Sequence, residues 1–182
     1  EMPPLPPELK AISCEERIIP GPEGAPDIRI LIYRPQIAAE NPGPALLNVH
    51  GGGYVIGVPE QNDLANRTKA MKLQCPVVVT SYRLAPETQW PGAVEDCYAA
   101  LCWMQANAGK LGIDPERIAL SGESAGGGHA AALAIHARNK LRQDAKAPKI
   151  CFQLLDSPML DDRTGTGSSA DQHPFTGEFM WR

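Results

Sequence analysis

The stretch LSGESAGGG, Leu120–Gly128, decides how this chain is read. Within it Gly122-Glu123-Ser124-Ala125-Gly126 follows the pattern Gly-x-Ser-x-Gly, in which a strand turns sharply into a helix and lifts a serine to the apex. Small residues two before and two after let strand and helix approach closely. Such a reading requires a strand upstream and a helix downstream. Upstream, RIALSG from Arg117 is a short apolar run entered through GIDPE, whose Asp114-Pro115 signals a turn. Downstream, AAALAIHARNKLRQ is rich in alanine and leucine and becomes basic toward its end, as a helix C-terminus prefers. A phosphate loop would need a lysine after its glycines, and a dinucleotide turn would need Gly-x-Gly-x-x-Gly. Gly127, Gly128 and His129 supply neither. The motif alone leaves open a turn that merely packs tightly.

A second glycine cluster bears on that choice. In PALLNVHGGGYVIG, Pro44–Gly57, a buried strand ends at His50-Gly51-Gly52-Gly53. Successive glycines let backbone N–H groups turn toward one point, which is what a developing oxyanion needs. Three glycines could also make no more than a flexible loop.

HGGGY (His50–Tyr54), YRLAPE (Tyr82–Glu87), GESAGG (Gly122–Gly127) and PMLDDR (Pro158–Arg163) together resemble the hormone-sensitive-lipase-like family of α/β hydrolases. The four blocks occur in the family's order. Ser81 departs from it, standing where members often carry an acidic residue. The resemblance implies an α/β-hydrolase fold and hydrolysis of carboxylic esters through an acyl-enzyme on Ser124; the open glycine-built loop and the absence of a lipid-binding amphipathic tract lead to the expectation of short-chain esters. It implies oxyanion donors at Gly52, Gly53 and Ala125, while Gly51 lets the loop turn and His50 anchors it without transferring a proton. It implies no cofactor and no metal.

The base and acid are harder to place. In α/β hydrolases they follow the serine, acid first and histidine last. His50 precedes Ser124, and His129 and His136 lie on the helix leaving the elbow. At about 1.5 Å per residue His136 sits roughly 18 Å beyond the serine. His173 is the remaining candidate, in a loop beside Pro174. Among the acids, Asp161 and Asp162 fall in a family block upstream of the catalytic carboxylate, and Asp156 is conceivable on position. The resemblance implies that the triad Asp and His lie beyond Arg182, so the chain is expected to stop before the last strands. Two other readings stay open: a catalytically silent ligand-binding relative, and a phosphate-binding α/β domain.

Composition agrees with an enzyme of this class. The 182 residues are 43% hydrophobic with a net charge of −4, enough for a core and without the basic clustering of a nucleic-acid footprint. No run approaches the length of a membrane span, and EMPPLPPELK is a proline-rich lead-in unlike a secretory leader. The expected setting is cytoplasmic, with a small-molecule ester as partner and any homo-oligomer built through parts outside this chain. Five cysteines, Cys14, Cys75, Cys97, Cys102 and Cys151, contain no C-x-x-C pair and read as buried free thiols.

The elements read as a strand pair followed by alternating strands and helices. EERIIP and DIRILIYRP form an antiparallel pair around GPEGAP; the strand ending at His50 and a helix over 63–73 follow. CPVVVTSY is a buried strand, residues 91–112 form one helix, and APKICFQLLDSP is a further buried strand. The expected architecture is the N-terminal part of one α/β domain over 1–182, a mostly parallel sheet with helices on both faces. Residues 1–14 read as a lead-in or cap remnant, and 156–182 as the approach to a cap.

Overall fold

The computed structural model describes residues 5–36 and 42–160. Asp161, Asp162 and His173 lie outside the described residues. In chain order the elements are β1 (Ile12–Ile19), β2 (Ile28–Pro35), β3 (Gly43–Val49), α1 (Asp63–Leu73), β4 (Val77–Thr80), α2 (Gly92–Ala106), α3 (Ala108–Leu111), β5 (Ile113–Glu123), α4 (Ala125–Gln143) and β6 (Phe152–Asp156). They build one mixed sheet in the order β1-β2-β4-β3-β5-β6. β1 and β2 pair antiparallel from Ile12↔Pro35 to Ile19↔Ile28, and β2 pairs antiparallel with β4. β3 runs parallel to both β4 and β5, and β5 runs parallel to β6.

Strand side chains alternate between faces, so consecutive apolar residues must feed two cores. Leu47 and Val49 of β3 join Val78, Ile118 and Leu120 against Leu101 and Met104 of α2 and Leu133 of α4. Leu46 joins Leu31, Tyr33, Val77 and Val79 against Ala70 of α1 on the other face. All four residues of β4 are buried, which explains its unbroken β-branched run. Truncating Leu47, which is fully buried, would cost about 2–5 kcal/mol. Helices on both faces of the sheet are therefore observed.

Three expectations require correction. Residues 91–112 are two helices, because the first stops at Asn107, whose side-chain amide donates to the Trp103 carbonyl at 2.9 Å. An Asn that satisfies a helical carbonyl from its own side chain offers the backbone an exit from the helix. Among the described residues β6 is not buried: Phe152 and Leu154 are 62% and 56% exposed, and the strand stands at the edge of the described sheet. The thiols divide: all five are free, but Cys14 and Cys151 are exposed, Cys102 is half-buried, and Cys75 and Cys97 are buried.

β3 and β5 are neighbours in the sheet, and both end at the same side. The glycine cluster leaves β3 where Ser124 leaves β5, so the topology alone brings the two motifs to one crevice.

Candidate active site

Ser124 sits between β5 and α4 with φ 55° and ψ −121°, a conformation that L-residues seldom adopt. Its two glycine neighbours make the bend sterically allowed. A Cβ on Gly122 would overlap the Gly126 carbonyl, and one on Gly126 would overlap the Val49 and His50 carbonyls at the end of β3. The Ser124 N–H donates to the Asp156 carbonyl at 2.9 Å, and its carbonyl accepts from Met159 N–H at 3.0 Å. The last residue of β6 and Met159 just beyond it thus fasten the elbow from both sides of the serine.

The glycine loop abuts this apex. A Cβ on Gly51 would lie 3.0 Å from the Glu123 carbonyl oxygen and 3.5 Å from Ser124 Cβ. Gly51 is therefore the point of contact, whereas the positive-φ turn falls at Gly52 (128°), Gly53 (59°) and Tyr54 (70°). This corrects the expectation that Gly51 makes the turn. The N–H groups of Gly52, Gly53 and Ala125 have no acceptor among the described residues. Ala125 opens a 19-residue helix, whose first N–H groups are free of intrahelical partners and carry the positive end of the dipole.

His50 is 1% exposed and stacks on Tyr82, ring centroids 4.3 Å apart. Its Nδ1 lies 2.8 Å from the Gly51 carbonyl, and its own carbonyl accepts from Tyr82 Oη at 2.8 Å. The Gly51 carbonyl also accepts from Gln61 Nε2 at 3.2 Å. Burial holds the imidazole below its ordinary pKa, with the Gly51 bond and Glu60 working against that shift. These contacts clamp the loop.

His129 is buried edge-on against Tyr54 and Tyr82, and burial, aided by the neighbouring His50, pushes its pKa down to about 4. His136 packs edge-on against Tyr98 further along α4. The Asp156 side chain is exposed and accepts from Ser157 Oγ at 3.2 Å, while its carbonyl holds Ser124. Among the described residues, no three His, Cys, Asp or Glu side chains gather where they could hold a metal ion.

Other contributors stand in the quoted blocks HGGGY and YRLAPE, but no local signal named their partners. Tyr54 Oη donates to the Met159 carbonyl at 2.8 Å, tying the glycine loop to the same segment that holds Ser124. Arg83 of YRLAPE grips the fully buried Asp96 of α2 through two guanidinium nitrogens and its backbone N–H. Tyr54, Ala85, Trp90, Pro91, Gly128 and His129 surround a cavity of about 330 Å³.

An elbow serine, a free-donor glycine loop on the adjacent strand and this strand order define an α/β-hydrolase architecture. Residues 46–182 match the family model described as alpha/beta hydrolase fold. The chain belongs to that family, within its hormone-sensitive-lipase-like group. It is 40% identical over 154 residues to the carboxylesterase NlhH of Mycobacterium tuberculosis, covering 84% of this chain and 46% of that one. An arylesterase of Saccharolobus solfataricus is 42% identical over 131 residues, covering 71% and 42%. Among solved structures, a bacterial heroin esterase superposes with TM-score 0.78 at 44% identity, covering 87% of this chain and 48% of its own. The chain spans about half the length of the curated relatives it matches. Among the described residues no helix is long and apolar enough to cross a membrane.

Proposed function

We propose that this chain carries the nucleophile and oxyanion hole of a serine esterase that hydrolyses short-chain carboxylic esters. Residues 1–182 are the N-terminal part of its single α/β-hydrolase domain. The observation that carries the reading is Ser124 at a strained apex beside a glycine loop in which the N–H groups of Gly52 and Gly53 have no acceptor among the described residues. Ser124 Oγ attacks the ester carbonyl as a base removes its proton, forming a tetrahedral intermediate. The N–H groups of Gly52, Gly53 and Ala125 stabilise its oxyanion, aided by the N-terminus of α4. The base returns that proton to the alcohol oxygen as its bond to the acyl carbon breaks; the base then takes a proton from water, which attacks the acyl group, and gives it to Ser124 Oγ as the acid is released.

The base and acid come from polypeptide outside the described residues. His129 does not fit as the base: with its pKa near 4 and aromatic rings against it, it is a neutral packing group. The small cavity beside Tyr54 suits a short, apolar acyl or alcohol group, as its volume lies at the low end for ligand sites. Relatives named carboxylesterase and arylesterase support the same chemistry.

The test is Ser124→Ala in the full-length protein, assayed with p-nitrophenyl acetate to butyrate. Turnover is expected to vanish while the fold persists. A variant that keeps more than a few per cent of wild-type activity removes Ser124 from the mechanism, and a preference for emulsified long-chain fat overturns the substrate class.

A further inference from the structure

On the α1 face of the sheet, where the packing is otherwise apolar, four polar side chains meet. Asn48 Oδ1 accepts from Lys69 Nζ of α1 at 3.0 Å and from Ser121 Oγ of β5. Asn48 Nδ2 donates to Asn66 Oδ1 of α1 at 3.0 Å. Asn48, Asn66 and Ser121 are all buried, and Lys69 is half-buried. Replacing such a cluster with apolar residues of similar volume is often neutral or stabilising, so stability alone gives little reason for it.

Its location is informative. Asn48 and Ser121 are direct register partners on β3 and β5. Two residues beyond Asn48 the glycine loop begins at His50, and three beyond Ser121 stands Ser124. Glu123 follows Ser121 on the same side of the strand and lies opposite Asp156 in register. Both carboxylates act electrostatically on Lys69, opposing the effect of its burial.

We infer that Lys69 is a positioning residue for the proposed ester-hydrolysis site, whose reading it rests on: its ammonium holds Asn48 Oδ1, the atom that Ser121 of β5 also reaches, and so steadies the link between β3 and β5 where the glycine loop and nucleophile depart. The lock fixes the spacing between Ser124 and the N–H donors of Gly52 and Gly53. A Cβ on Gly51 would lie only 3.0 Å from the Glu123 carbonyl oxygen, so the glycine loop passes the elbow with little room between them. The ammonium also offsets two carboxylates beside a site where negative charge develops on the substrate. Both effects act on the transition state more than on bound ester, so they govern kcat.

The test uses the full-length protein with Lys69→Met, Lys69→Arg and Ser121→Ala. Steady-state kinetics on p-nitrophenyl butyrate are normalised to titrated active sites, and amide hydrogen exchange is followed at the bonded amides of Val55 and Ile56 in the glycine loop and of Ser124 at the elbow. Lys69→Met is expected to lower kcat about 10- to 100-fold, the scale of a sub-ångström to 1 Å misplacement. KM should stay within about twofold, since bound ester is little affected. Lys69→Arg, which keeps charge and donor, should restore most of the rate. Exchange should rise in both loops and not in β1 or β2. Ser121→Ala should shift kcat and exchange in the same direction by less, and it carries the test if Lys69→Met does not fold. Unchanged kcat per site and unchanged loop exchange overturn the inference. If the wild type hydrolyses no ester, the esterase reading fails by itself. Loop exchange then decides the role of Lys69: raised in both loops upholds the lock, unchanged refutes it.

Discussion

Replacing Gly126 by alanine pits two effects against each other. Within a helix, alanine is favoured over glycine by about 1 kcal/mol. Gly126 lies in the first turn of α4, where a Cβ would overlap the backbone carbonyls of Val49 and His50. Those atoms end a central strand and start the clamped glycine loop, so they cannot rotate aside as a side chain could. Overpacking against a rigid neighbour costs about 1–3 kcal/mol, which equals or exceeds the gain in propensity. We expect a net loss of up to about 2 kcal/mol in urea denaturation and, more tellingly, a fall in kcat of about 100-fold as loop and nucleophile are forced apart. Gly109→Ala in α3 is the control, because its Cβ meets nothing within 4 Å and φ is not positive there. That change should stabilise by about 0.5–1 kcal/mol and leave kcat alone. A Gly126→Ala protein with wild-type kcat and undiminished stability would refute the claimed contact between α4 and the end of β3.

Three further outcomes are expected. Gly52→Val forces a side chain onto the Ile56 carbonyl at φ 128°, so kcat for p-nitrophenyl acetate should fall about 10²–10³-fold with KM nearly constant. Asp96→Ala strips the Arg83 guanidinium of its buried partner and should lower the unfolding free energy by about 3 kcal/mol in urea titration, near the low end for a broken ion pair because Arg83 keeps some solvent access. His129 has a folded pKa near 4, below its ordinary 6.5, so the unfolded chain binds the proton more readily. Its contribution is complete above pH 6.5 and is lost as pH falls from there toward 4, by about 3 kcal/mol in all. Chemical denaturation of wild type and His129→Gln at pH 7 and 4.5 checks this, and equal pH slopes would contradict it.

What could be read from the sequence was local. The elbow at Ser124 and the glycine loop at His50–Gly53 depend on residue spacing within a few positions, and the helix read over 63–73 has the bounds of α1. Features that depend on who becomes whose neighbour were not legible. The apolar content of Phe152–Asp156 reports strand propensity but not that, among the described residues, the strand has a neighbour on one side only. Asn48 and Ser121 are 73 residues apart and meet only because β5 lies beside β3. The break at Asn107 hides in an apolar pattern that stays in phase with a helix on both sides. Gly51 was assigned the turn because successive glycines look alike in sequence, whereas backbone dihedrals and clearances tell them apart.

The double fastening of Ser124 to Asp156 and Met159 sets where this chain can accept added length. A residue inserted between those two would break the Ser124 N–H bond, the Ser124 carbonyl bond or the Tyr54 bond to the Met159 carbonyl. The stretch from Asp156 to Met159 is therefore of fixed length for any variant that keeps the elbow intact. The Pro20–Asp27 turn between β1 and β2 is the opposite case: at its Gly24 a Cβ would meet nothing within 4 Å. Loop grafts, tags or permuted termini belong at that turn, at the far end of the sheet order from the strand that carries the serine.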